Sequence, residues 1–210
     1  MTLGEGLTAG IAALGLDLDH AAQEKLLAYL QLLEKWNRTH NLTAIREPAR
    51  MLSYHLLDSL AVLPHLPSRQ GTRLIDVGSG GGLPGIPLAA ARPDWQVTLL
   101  ESNRKKTAFL AQARAELRLA NVEVAAVRAE QFVPAAPFDV VIARALSDAP
   151  RFVATTRHLL ASGGVLVAMK GAIPRDELAM LPSDIRVQAV PALRIPGIVG
   201  ERHLLIMGAA

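Results

Sequence analysis

The chain has 210 residues, half of them apolar and a fifth charged, with no cysteine and a formal net charge of +3. That length suits one domain with an appendage and a substantial core; no run of about 18 apolar residues occurs free of Gly, Pro or charge, which argues against a membrane-spanning helix, and the apolar content argues against disorder. The lack of cysteine excludes disulfides, thiolate zinc sites, iron–sulfur clusters and any Cys nucleophile.

The first twenty residues are mildly apolar but carry no leading Lys or Arg, and Glu5, Asp17 and Asp19 interrupt or bound them. No secretory signal is read there, so the expected compartment is the cytoplasm. Leu26, Leu27, Leu30, Leu33 and Trp36 recur at helical spacing behind Asp19, which predicts a helix over 19–36 with Asp19 as its N-cap. A second helix is predicted from Pro48 to Pro64. Residues 1–66 are thus read as an N-terminal helical extension, and residues 67–210 as the main domain.

After Gly71 short apolar runs alternate with helical stretches. Strands are predicted over 73–77, 96–100, 122–127, 138–143 and 165–169, with helices over 84–91, 103–119 and 150–160. A short helix over 175–181 and strands over 185–190 and 203–207 would complete a seven-stranded sheet, with an antiparallel pair at its end. The alternation predicts an α/β fold, doubly wound and mostly parallel.

Five of the eight residues from Gly78 to Gly85 are glycine, directly behind the first strand. Ligands of open α/β sheets bind at the carboxyl ends of strands, near where the strand order reverses. Glycine admits positive φ and close approach of a ligand to the backbone. Glu101 closes the second strand, where such folds place an acid on ribose hydroxyls, so a nucleoside derivative is expected. A dinucleotide fingerprint starting at Gly78 would need Gly where Leu83 stands. The match at Gly80, Gly82 and Gly85 begins beyond the strand and contains Pro84, and no Gly-Lys-Ser/Thr follows to make a P-loop. The Gly78, Gly80, Gly82 spacing behind "LIDV" instead resembles the first motif of S-adenosylmethionine-dependent methyltransferases. A sulfonium cofactor needs close backbone approach and an acid near its cationic end. Asp76 is the candidate; the alternative is a buried carboxylate that hydrogen-bonds the loop.

In chain order, "NLTAI", "HLLDSL", "DVGSGGGLPGIPLA", "LLESNRKKTAFL", "RAE", "FDVVIARAL" and "MKG" resemble the bacterial RsmG family, formerly glucose-inhibited division protein B, over about residues 25–171. The Leu-Pro-Gly-Ile-Pro continuation of the loop is the most specific part. The resemblance implies the S-adenosylmethionine-dependent methyltransferase fold and methyl transfer to N7 of one guanine in 16S ribosomal RNA. It places Gly78 and Leu83 against the cofactor, Ala129 and Glu130 near its adenine, and Arg144 in the site. Read from the residues alone, Glu130 is a helix-initiating acid and Arg144 a structural salt bridge; the resemblance tips both toward function.

Enzymes acting on exocyclic amines often carry an Asn or Asp, Pro, Pro, aromatic signature after the fourth strand, where this chain has Ala143, Arg144 and Ala145. Pyrimidine C5 methylation generally needs a Cys nucleophile. Guanine N7 needs neither, because its lone pair is free and positioning alone can carry much of the rate. No general base is nominated; Arg144 is the candidate catalytic residue, and groups stabilising the methylated guanine stay unassigned.

RNA binding calls for cations near the pocket. Arg128, Arg144 and Lys170 follow three different strands on the ligand edge, and residues 102–118 hold Arg104, Lys105, Lys106, Arg114 and Arg118 against Glu116. A basic lip contacting phosphates is therefore expected, although the helix alone reads as a solvated face. Arg outnumbers Lys and the pI is about 9.6, which fits a nucleic-acid partner and equally fits codon bias. Aromatic residues are sparse, so an extended stacking platform is not expected. His55 and Asp58 share a helical face without a third ligand, and no metal is expected. The expected partner is 16S RNA or the small ribosomal subunit, bound by a monomer away from membranes. Methylation of a small molecule or protein, and nicotinamide-dependent oxidoreduction, are the competing classes.

Overall fold

Thr2 opens the first helix, α1 (Leu3–Ala13): its hydroxyl accepts from the Glu5 N–H, and the Glu5 carboxylate accepts from the Thr2 N–H. This helix was not expected, because its glycines weaken the helical pattern. One of them is required by packing: a Cβ on Gly10 would meet a Leu57 methyl at 2.7 Å. The structure, a computed structural model, describes residues 2–144, 148–173 and 175–210.

Asp19 caps α2 (His20–His40) as expected, accepting from the Ala22 N–H at 2.7 Å. The stretch from Pro48 is helical but not uniform. It runs as α3 (Pro48–Met51), a π-helix (Leu52–Leu57) and α4 (Asp58–Leu60), then a 3-10 turn at Leu63–His65. π turns are rare and concentrate at functional sites.

The sheet follows the predicted alternation: β1 (Arg73–Val77), α5 (Gly85–Ala91), β2 (Gln96–Leu100), α6 (Arg104–Glu116), β3 (Val122–Ala125), β4 (Phe138–Arg144), α7 (Ala149–Thr156), β5 (Leu160–Lys170), α8 (Arg175–Leu178), β6 (Ile185–Ala189) and β7 (His203–Ala209). Its seven strands lie in the order β3-β2-β1-β4-β5-β7-β6. β1 to β5 are parallel, and β7 inserts antiparallel between β5 and β6. The order therefore reverses between β1 and β4. The clearest differences from expectation are that α7 stops at Thr156 and β5 begins earlier, at Leu160.

Successive strand residues face opposite sides of the sheet. Leu74, Leu99, Val140 and Val167 pack with Leu26, Leu33 and Leu57 of the N-terminal helices and with Ile86 and Phe109 of α5 and α6. Ile75, Val141, Leu166 and Leu205 pack on the other side with Phe152 of α7. The helical extension and the sheet thus share one apolar cluster. No described helix is long and apolar enough to cross a membrane.

Candidate functional site

β1 ends at Val77 and the chain turns through Gly78 at φ 70°. A Cβ there would meet nothing within 4 Å, so the backbone is open on its outer side. Gly85 serves the opposite purpose. A Cβ on it would meet Asp76 Oδ2 at 2.8 Å, and its N–H donates to that same oxygen at 2.9 Å. The carbonyl of Leu100 accepts from the N–H groups of Gly78 and Ser79, and Tyr29 of α2 donates to the carbonyl of Gly81.

Glu101, directly after β2, ties the loop to the next turn. Its Oε2 accepts from the Gly80 N–H at 3.0 Å and its Oε1 from the Asn103 N–H at 2.8 Å. Each carboxylate oxygen keeps a further lone pair for a ligand. Glu101 and Gly78 line a cavity of about 380 Å³ whose far wall is Arg128, Ala129 and Glu130 after β3, with Phe152 and Thr155 of α7. Ala129 and Glu130 lie on a 3-10 turn, and Arg128 and Glu130 are exposed.

A second cavity of about 400 Å³ opens at the ends of β4 and β5, lined by Tyr54, His55, Asp58, Arg144, Lys170 and Arg202 among others. The π-helix and the start of α4 supply the first three. Arg144 Nη1 donates to the Tyr54 carbonyl at 2.9 Å and to Asp58 Oδ2 at 3.4 Å, and Arg202 Nε lies 3.5 Å from Asp58 Oδ1. Burial pushes the Asp58 carboxyl up, and the two arginines oppose that. His55 is pushed down to about 4, first by burial and then by the Arg144 charge. It is therefore a neutral imidazole at neutral pH. The two cavities flank the β1/β4 reversal, the place where open α/β sheets bind ligands.

The model of the rRNA small subunit methyltransferase G family (GidB) matches residues 22–205. The chain belongs to this family. Ribosomal RNA small subunit methyltransferase G of Laribacter hongkongensis is 54% identical over 208 residues, covering 99% of each chain. The Nitrosospira multiformis protein of that name is 54% identical over 211 residues, covering 97% of this chain and 96% of its own. Solved structures share the fold at low identity. A precorrin-6Y C5,15-methyltransferase from Geobacter metallireducens is 15% identical with a TM-score of 0.54, covering 72% of this chain and 86% of that one. A mutant of MtNAS in complex with S-adenosylmethionine is 15% identical with a TM-score of 0.59, covering 90% of this chain and 76% of that one. The sheet order and these neighbours make the fold that of the S-adenosylmethionine-dependent methyltransferases.

Of the residues expected in the family's site, Gly78, Glu101, Arg128, Ala129 and Glu130 come together in the first cavity. Gly80 is half-buried and held by Glu101. Asp76 is fully buried, because strand alternation turns it to the face covered by α5, and it bonds the loop backbone rather than lining the first cavity. That is the alternative the residues left open. Burial pushes its carboxyl up to about 7, against the Gly85 hydrogen bond and the Arg144 charge. Leu83 is likewise buried in the core rather than on the cavity wall. Arg144 and Lys170 line the second cavity, and both are paired: Arg144 with Asp58, and Lys170 Nζ with Glu177 Oε2 at 2.9 Å. Ala145, in the tripeptide after β4, lies outside the described residues.

Sequence reasoning missed the wall made by α7 and the arginine at 202. Phe152 sits at a core position of an amphipathic helix, so nothing local marks it as lining a site. The crossover from β4 necessarily passes the carboxyl edge of the sheet, and that topological fact could have pointed to it.

Proposed function

We propose that this chain transfers the methyl group of S-adenosylmethionine to N7 of a guanine in 16S ribosomal RNA. The observation that carries the reading is the first cavity: an open glycine backbone at Gly78 beside the Glu101 carboxylate, at the β1/β4 reversal, in a member of the rRNA small subunit methyltransferase G family. No phosphate cradle accompanies it, because the N–H groups of Gly78 and Ser79 are already bonded to Leu100 and that of Gly80 to Glu101. A nucleoside cofactor without phosphates fits such a loop.

Glu101 would accept from the ribose hydroxyls while its links to Gly80 and Asn103 fix its orientation. Ala129 and Glu130 would border the adenine, with Phe152 of α7 lining the same cavity. When bound, S-adenosylmethionine would supply an electrophilic methyl group for the N7 lone pair, the C–S bonding pair returning to sulfur. No proton leaves N7, so the chain needs no general base there. Its residues contribute orientation, which is worth several kcal/mol in well-aligned cases, roughly 7–11 at most. Arg128, exposed on the cavity rim, would hold RNA phosphate. Residues 1–66 would act as a brace for the glycine loop rather than as an independent unit.

The test is transfer of labelled methyl to small subunits lacking the modification, followed by chemical cleavage at N7-methylguanine. A single cleavage site in 16S RNA is the expected result. Methyl found elsewhere would overturn the substrate, and binding of a nicotinamide dinucleotide in preference to S-adenosylmethionine would overturn the cofactor.

A further inference from the structure

The second cavity contains two buried polar groups with unused capacity. Asp58 and His55 are 5% and 3% exposed. Among the described residues Asp58 Oδ1 accepts no hydrogen bond, its nearest cation being Arg202 Nε at the ion-pair distance of 3.5 Å, and His55 Nδ1 has no hydrogen-bond partner, although Nε2 of the same histidine is bonded to Thr43 Oγ1 at 2.9 Å. A buried acceptor without a donor is costly, and a ligand that brings donors relieves it. His55 on the π-helix and Asp58, the next turn along at the start of α4, both line this cavity.

We propose that this second cavity receives the acceptor guanine and that Asp58 reads its Watson–Crick edge, accepting hydrogen bonds from N1–H and from the N2 amino group. The inference rests on the N7-methylation reading above. Guanine carries two adjacent donors on that edge, and a carboxylate has two acceptor oxygens to match them. Adenine presents an acceptor at N1 instead, which a carboxylate repels. Enzymes that act on a base commonly extrude it and bind the Watson–Crick edge. In the purine, the N2 amino group and N7 lie at opposite ends of the C2–C5 axis. A carboxylate bound at N1 and N2 therefore turns N7 away from itself.

The charge balance favours the same arrangement. Methyl transfer leaves the purine positive and makes N1–H a stronger donor, so a carboxylate on that edge gains strength as the reaction proceeds. Asp58 is held meanwhile by Arg144 and Arg202. Once the base supplies donors to Asp58, those guanidinium groups can turn to RNA phosphates. The residue is thus assigned to base selection and to stabilising the developing charge.

The experiment uses 16S RNA carrying inosine, which lacks the N2 amino group, at the mapped guanine, assembled into small subunits. The wild-type chain should methylate the inosine substrate about tenfold more slowly than guanosine, the loss expected for one hydrogen bond to a charged acceptor. Asp58→Asn should slow transfer to guanosine and bring the two substrates within about twofold of each other, while binding S-adenosylmethionine normally. A second readout does not depend on turnover or on any variant. With S-adenosylhomocysteine present, wild type should protect the target guanine from kethoxal, which attacks N1 and N2. Equal wild-type rates on inosine and guanosine, an Asp58→Asn variant that keeps the wild-type ratio, or unchanged kethoxal reactivity would overturn the inference. A wild-type chain that methylates no N7 of 16S RNA would instead overturn the underlying function.

Discussion

The phenol of Tyr29, on α2, donates a 2.5 Å hydrogen bond to the carbonyl of Gly81 in the glycine loop, across 52 residues of sequence. Both groups are buried, and burial holds the Tyr29 hydroxyl in its protonated, donating form by raising its pKa. The same helix presses Leu33 on the loop, where a Cβ on Gly81 would meet its methyl at 3.3 Å. The N-terminal extension therefore forms the back of the glycine loop. Tyr29→Phe removes the donor and leaves a buried carbonyl unsatisfied, which should cost about 1–3 kcal/mol in urea denaturation. Affinity for S-adenosylhomocysteine, followed by calorimetric titration, should fall severalfold as well. A variant that loses stability but binds normally would show that the loop does not need this brace.

Glu101 is the second tether of that loop, because one carboxylate engages both Gly80 and Asn103. In Glu101→Gln one of the two accepting oxygens becomes a donor, so one backbone N–H, and in the proposed cofactor site one ribose hydroxyl, loses its acceptor. Hydrogen bonds to a charged group are worth about 1.5–3 kcal/mol, so affinity for S-adenosylmethionine should fall about 10- to 100-fold. Equilibrium dialysis measures this directly. An affinity within twofold of wild type would remove Glu101 from the cofactor site.

Much of this arrangement is legible in the sequence, for identifiable reasons. β1, β2 and β4 are parallel strands buried on both faces, so they read as near-continuous apolar runs, and the glycines mark their edge. The orientation of Asp76 was available too: it shares a sheet face with Leu74, and period-two alternation sends both into the core. The pairing of Arg144 with Asp58 was not available, since 86 residues separate them and only the completed fold brings them together. Nor does any residue pattern announce the π turn at Leu52–Leu57, because widening a helix by one residue per turn leaves its composition unchanged. α1 was hidden by its glycines, one of which, Gly10, the packing against Leu57 demands.

Asp76 gives a pH prediction with a definite sign. Its folded pKa, about 7, lies above the ordinary carboxylate value, with burial as the main cause. The folded state therefore holds the proton more tightly than the unfolded chain. The stability this group contributes is fully present below the unfolded pKa and is lost as pH rises through about 7. His55, lowered to about 4, works in the opposite direction: its contribution is present above the ordinary histidine value and is lost as pH falls. The two partly cancel in wild type, so the comparison must be with Asp76→Asn, which keeps an acceptor for Gly85. Relative to that variant, wild type should lose on the order of a few kcal/mol between pH 4 and pH 8. Urea denaturation across that range checks it; parallel curves for the two chains would place the Asp76 carboxyl at an ordinary pKa.

The cations around the site are not equivalent, and salt dependence should separate them. Arg128 is exposed on the rim of the first cavity and makes no ion pair among the described residues, whereas Lys170 is mostly buried and bound to Glu177. A phosphate contact by Arg128 would release about one counterion, so Arg128→Ala should weaken small-subunit binding and lower the slope of log K against log salt by about 1. Lys170 already has its counter-charge. Lys170→Ala should leave that slope within experimental error of wild type and act instead on stability, because it strands the Glu177 carboxylate that also accepts from the Ala149 N–H at 2.7 Å. Filter-binding titrations at four or more salt concentrations give both slopes. If Lys170→Ala lowers the slope and Arg128→Ala does not, the RNA approaches over the β5 end of the sheet, and the basic lip lies on the second cavity alone.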